Sequence, residues 1–175
     1  MLAETIVVSK VEAENYTPLP DDVYTVELVD IVAEERPTYD TRNESKENQK
    51  METVFNFLFG VLDTGEDVRG RRLIQSFVPS YLYISGKGKN KLYQIVEALQ
   101  GDSISQEQEA FGISGKELNM LIGKQCRVGT KTETKGEKSY TNIDKWLVSR
   151  EEKTALTSDE KSKLEFPKKS EESAG

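Results

Sequence analysis

Val54-Phe55-Asn56-Phe57-Leu58-Phe59-Gly60-Val61-Leu62 sets three phenylalanines on every second residue. A strand sends alternate side chains to opposite faces, so Phe55, Phe57 and Phe59 share one face, which reads as core. Asp63, Gly65 and Asp67 then supply turn chemistry, and Gly70-Arg71-Arg72 leads into a second run, Leu73 to Ile84. In that run Phe77, Tyr81 and Tyr83 fall on one parity and Ile74, Val78, Leu82 and Ile84 on the other, with Pro79 marking an edge, a bulge or a strand end. The two runs read as a hairpin at the centre of a small β-barrel.

Working outward, Val23 to Ala33 alternates as another strand, with Tyr24, Val26 and Leu28 opposite Thr25, Glu27, Val29 and Ile31. Before it, residues 1–20 read as an N-terminal arm with a short edge strand over Glu4 to Val11, broken by Pro18-Leu19-Pro20-Asp21-Asp22. Between the strands, residues 34–52 are polar, with Tyr39 as the one aromatic. They read as a long loop, either a mobile insertion or a functional one. Downstream, Ser85-Gly86-Lys87-Gly88-Lys89-Asn90 is a basic turn, and Lys91 to Gln100 carries Leu92, Ile95, Val96 and Leu99 at helical spacing. A short helix follows over Ser114-Gly115-Lys116-Glu117 with Leu118, Leu121 and Ile122. Gln125 to Thr134 and Ser139 to Val148 then form a last hairpin about Lys135-Gly136-Glu137-Lys138. Residues 151–175 read as a charged, mostly disordered tail, in which Thr157-Ser158-Asp159-Glu160 can open one short helix.

This layout is mainly β, a β-barrel with one or two helices. It predicts an OB-fold-like five-stranded Greek-key barrel over residues 21–150, with a helix after the third strand. Such barrels bind oligonucleotides on the face of strands two and three, helped by the loops joining strands one to two and four to five.

Charge is uneven along the 175 residues. The total is −7, but residues 1–52 carry −8, residues 53–150 carry +3 and residues 151–175 carry −2. A mildly basic middle between acidic ends is compatible with polyanion binding. Cys126 is the only cysteine, so no intramolecular disulfide forms and a reducing compartment is expected. Met1-Leu2-Ala3-Glu4 has no basic leader pattern and no apolar run approaches a spanning length, so we expect a cytoplasmic protein with no membrane partner. There is no histidine. That removes the common zinc sites and the Cys/His nucleophile arrangements, and no metal or cofactor is expected.

Three stretches carry a resemblance: residues 18–28 (Pro18-Leu19-Pro20-Asp21-Asp22-Val23-Tyr24-Thr25-Val26-Glu27-Leu28), residues 90–99 (Asn90-Lys91-Leu92-Tyr93-Gln94-Ile95-Val96-Glu97-Ala98-Leu99) and residues 121–128 (Leu121-Ile122-Gly123-Lys124-Gln125-Cys126-Arg127-Val128). Over about residues 16–148 the chain resembles small OB-fold, single-stranded-DNA-binding-like proteins from bacteriophage and prophage replication–recombination regions. The resemblance implies a cytoplasmic location in a bacterial host. It also implies single-stranded DNA as partner and phage or host replication and recombination proteins nearby, with self-association left open.

Single-strand binding needs cations that track phosphates and rings on which bases stack. The candidate cations are Arg69, Arg71, Arg72, Lys87, Lys89, Lys124, Arg127, Lys131, Lys135 and Lys138, all in the basic section; the same residues also read as an ordinary solvated face. The candidate rings are Tyr39, Tyr81, Tyr83 and Tyr140, aromatics in polar surroundings, whereas Trp146 reads as core. Ser85-Gly86-Lys87-Gly88-Lys89 departs from the phosphate-loop pattern, and Asp63, Glu66 and Asp67 read as a turn. The sequence thus predicts a non-catalytic, largely sequence-independent single-stranded-DNA-binding protein. The alternative is an OB-like protein–protein adaptor that binds no nucleic acid.

Overall fold

One long strand organises the sheet. β1 (Val23–Pro37) is rich in β-branched residues, and its two ends serve two neighbours. Its first half pairs antiparallel with β6 (Gln125–Lys135), from Val23 opposite Gly129 to Glu27 opposite Gln125. Most of its length pairs with β2 (Met51–Val61), from Val26 opposite Val61 to Pro37 opposite Met51. β3 (Arg72–Pro79) adds to β2, and β7 (Lys138–Val148) adds to β6. The result is a five-stranded antiparallel sheet in the order β3-β2-β1-β6-β7. The computed structural model describes residues 19–65 and 67–167; the expected Glu4–Val11 strand, Glu66 and the last part of the tail lie outside them.

The inner face carries the core. Val26, Leu28, Phe57, Phe59, Leu73, Val78, Cys126 and Val128 are all buried there. They lie under helix α1 (Lys91–Gln100), which contributes Leu92, Ile95, Val96 and Leu99. Phe57 and Phe59 stack with centroids 6.3 Å apart, and Phe59 meets Trp146 at 5.3 Å. Each fully buried ring of this kind stabilises the fold by about 1.5–3 kcal/mol. Asn90 caps α1 by accepting the Tyr93 amide at 3.2 Å, and Gly101 ends it with φ 79°. Helices α2 (Gln106–Phe111) and α3 (Gly115–Asn119), capped by Ser105 and Ser114, bridge α1 to β6.

The expected barrel is not closed by hydrogen bonds. β3 and β7 run in the same direction and approach each other, yet no ladder joins them. Helix α1 packs against β3, β6 and β7 and occupies that seam.

Three other expectations are corrected. The polar stretch 34–52 is a loop over 38–50 only, because β1 runs to Pro37 and β2 begins at Met51. Polar cross-strand contacts hold this part of the ladder, Arg36 Nε to Glu52 Oε1 at 3.4 Å and Asn56 Nδ2 to Glu34 Oε2 at 2.9 Å. The remaining loop ties itself together: the Thr38 amide donates to Lys50 O at 2.8 Å, and the Lys50 amide to Thr41 Oγ1 at 2.9 Å. The run Leu73 to Ile84 is not one strand, because β3 ends at Pro79, which has no amide to donate. A minimal hairpin, β4 (Ile84–Ser85) with β5 (Gly88–Lys89), follows.

The third correction concerns the tail. Residues 151–167 form a strap across the outer face of β1, β2 and β3. Leu156 and Leu164 are buried there with Leu58 and Leu62, flanked by Val29, Ile74 and Phe166. Helix α4 (Ser158–Ser162) is closed by a capping box from Thr157 to Glu160. The strap explains Gly60: a Cβ there would lie 2.5 Å from Leu156 Cδ1 and 2.7 Å from Leu164 Cδ1. Glu27 is fully buried beneath it, accepting the Leu156 amide at 3.1 Å and facing Lys161 Nζ at 2.8 Å. Apolar residues spaced too widely for periodicity, at 156, 164 and 166, are what a composition-based reading passes over.

Candidate nucleic-acid interface

The β6–β7 hairpin gathers candidates from both of its strands. Its inner face is set by Cys126, Val128 and Thr130, which are buried. The alternate residues Arg127, Lys131, Glu133 and Lys135 therefore point outward. Residues directly opposite in a ladder share a face. Asn142 faces Lys131, Tyr140 faces Glu133, Lys138 faces Lys135, and Lys145 faces Gly129. One outer surface thus carries Arg127, Lys131, Lys135, Lys138 and Lys145 around the half-exposed ring of Tyr140. A two-residue turn with Gly136 at φ 64° closes its tip.

None of Lys131, Lys135, Lys138 and Lys145 makes an ion pair or a side-chain hydrogen bond with a described residue. Arg127 is engaged, its Nε donating to Val148 O at 2.9 Å. Lys135 directly opposite Lys138 is a like-charge pair, unfavourable unless an anion sits between them.

Other expected cations are occupied. Arg69 makes a two-pronged pair with Glu160 at 3.0 and 3.1 Å and donates to the carbonyls of Leu62, Thr154 and Ala155. Arg72 donates to Glu165 O at 2.9 Å. These two contact the strap: all three guanidinium nitrogens of Arg69 face protein oxygens, and Arg72 uses one of its nitrogens there. Arg71 is half-buried and has interactions of its own. Lys89 pairs with Glu97 at 2.7 Å and lies 5.7 Å from the Tyr93 ring centre. Lys87 is exposed at the tip of the β4–β5 hairpin, and Lys124 is exposed just before β6.

The other rings form separate groups. Tyr81 and Tyr83 meet edge to face at 6.5 Å beside the β4–β5 hairpin, each more than half exposed. Tyr39 sits at the β1–β2 tip with the Arg42 guanidinium 4.2 Å from its centre. A ring outside the expected set, Phe77, is also exposed, with Arg36 over it at 4.5 Å.

Several titrating groups are shifted by their surroundings. Burial pushes the Cys126 thiol up to about 12, so it holds no thiolate near neutrality. The Tyr93 hydroxyl, donating to Glu109 Oε1 at 2.6 Å, is raised to about 12 by that bond. The Glu160 carboxyl lies below its ordinary range because the Thr157 backbone amide and the Arg69 guanidinium favour its anion. Among the described residues no group of three or more acidic or sulfur ligands is placed to hold a metal ion, and no helix is long and apolar enough to cross a membrane.

No family model matches this chain, and no curated protein matches it.

Proposed function

We propose that the chain is a non-catalytic protein that binds single-stranded DNA with little regard to sequence, and that the outer face of the β6–β7 hairpin is its main contact. The observation that carries this is the set of four lysines, Lys131, Lys135, Lys138 and Lys145, that share one exposed face with Tyr140 and have no protein partner among the described residues. Cations without internal partners and a ring among them are what a phosphate backbone and a stacked base require. The strand order supports an OB-like reading. Joining β3 to β7 would give a five-stranded Greek-key barrel with α1 after its third strand, and the β6–β7 hairpin would be its strand four-to-five arm. The resemblance to phage replication–recombination proteins supports DNA over other polyanions and a bacterial host cytoplasm as its setting.

The test is fluorescence anisotropy of labelled oligo-dT and of a matched duplex at low and moderate salt. Micromolar or tighter binding to the single strand, weaker on duplex and falling with salt, is expected. No binding at low salt would leave the second reading, a protein–protein adaptor. That reading is favoured by Phe111 and Met120, 89% and 68% exposed on the acidic α2–α3 segment.

A further inference from the structure

Phe77 is a large ring left 52% exposed in a backbone conformation that bulky residues rarely adopt, φ 59°. A β-bulge causes it. Phe55 pairs with Val78 and Phe57 with Gln75, so Ser76 and Phe77 together face Asn56. Asn56 fixes the bulge, its Oδ1 accepting the Phe77 amide at 2.9 Å and its Nδ2 donating to Glu34 at 2.9 Å. The core does not call for this ring, because the next residue, Val78, is the one that packs inside. Arg36 backs the ring, its guanidinium 4.5 Å from the centroid and its Nε 3.4 Å from Glu52. The strap covers Leu58 and Leu62 on this same side of β2 and leaves the Asn56–Phe77 end open.

Building on the single-strand reading above, we propose that Phe77, aimed by Asn56 and backed by Arg36, is a stacking position for one base of the bound strand. Every base has a π face, so a phenylalanine platform suits binding without sequence preference. The guanidinium, paired with Glu52, packs against the ring and holds it in place for the base.

The test uses the full chain and an oligo-dT carrying one 2-aminopurine, read by anisotropy and by quenching of that base. Phe77→Gly removes the ring and, at φ 59°, relieves backbone strain, so its thermal midpoint holds or rises. Its affinity falls roughly 5- to 150-fold, the range for losing one stacked base. Its salt slope is unchanged and quenching is lost, while Phe77→Trp restores both affinity and quenching. Should Phe77→Gly fail to fold, Phe77→Leu carries the same comparison with the apolar bulk kept. Wild-type binding with unchanged affinity and quenching in the variant overturns the stacking site and leaves the single-strand reading standing. No wild-type binding at low salt overturns both.

Discussion

The outer surface of the sheet has two ends with opposite fates. Over β1, β2 and β3 the chain's own residues 155–166 lie on the strands, and the nearby arginines are tied to that strap. Over β6 and β7 nothing from the described residues covers the outward lysines. In the sequence Arg69 and Lys131 look equally available. What separates them is partner geometry: Arg69 faces one carboxylate and three carbonyls, and Lys131 faces water. A cation already paired within the fold cannot take a phosphate without breaking that pairing, so the phosphate contacts we propose are placed on the unpaired lysines.

The largest effects should come from breaking the covered end. Leu156→Ala empties a buried position and should cost about 2–4 kcal/mol, seen as a lower midpoint in urea or heat. Gly60→Val should also destabilise, by about 1–3 kcal/mol, because its side chain would run into Leu156 and Leu164. A Gly60→Val protein as stable as wild type would mean that the strap does not rest on the sheet.

Next is the exchange between the two ends. Arg69→Ala should cost about 1–3 kcal/mol of stability, for a partly buried pair and three carbonyls left without a donor. It should leave oligo-dT affinity within twofold. Lys131→Ala should do the reverse: stability within about 0.5 kcal/mol of wild type, with weaker binding and a log–log salt slope shallower by about 0.7 for one lost phosphate contact. Isotherms at several salt concentrations, beside melting curves, separate the two. If Arg69→Ala weakened binding while Lys131→Ala did not, the assignment of the two ends would be reversed.

The smallest expected effect is pH-dependent. The Glu160 carboxyl is lowered in the folded chain from an ordinary value of 4.5, by the Thr157 amide first and Arg69 next. A carboxyl lowered on folding stabilises the fold at every pH above its unfolded value and loses that contribution as pH falls through its folded value. Glu160→Gln should therefore melt below wild type at pH 7, and the gap should close as pH drops below 4.5.

Regular alternation was legible from the start. Phe57 and Phe59, the Leu92-to-Leu99 helix face and the β6–β7 hairpin all fall where spacing places them. Residues 34–37 were not legible as strand, because polar cross-strand pairs hold them and no apolar period marks them. The strap was hidden for a related reason: Leu156, Leu164 and Phe166 stand alone among charges and gain meaning only against Leu58 and Leu62. Of the candidate site, Lys131, Lys135, Lys138 and Tyr140 could be placed on one hairpin by alternation alone. Phe77 and Arg36 could not, since a left-handed bulge built on Ser76-Phe77, without glycine, leaves no mark in the sequence.

The most direct test is a ¹H–¹⁵N shift map of the full chain titrated with oligo-dT. The proposed interface requires the largest changes over Lys131–Tyr140 and around Phe77 and Arg36, with Leu156 to Leu164 unmoved. Changes concentrated on the strap, or on Phe111 and Met120, would contradict it.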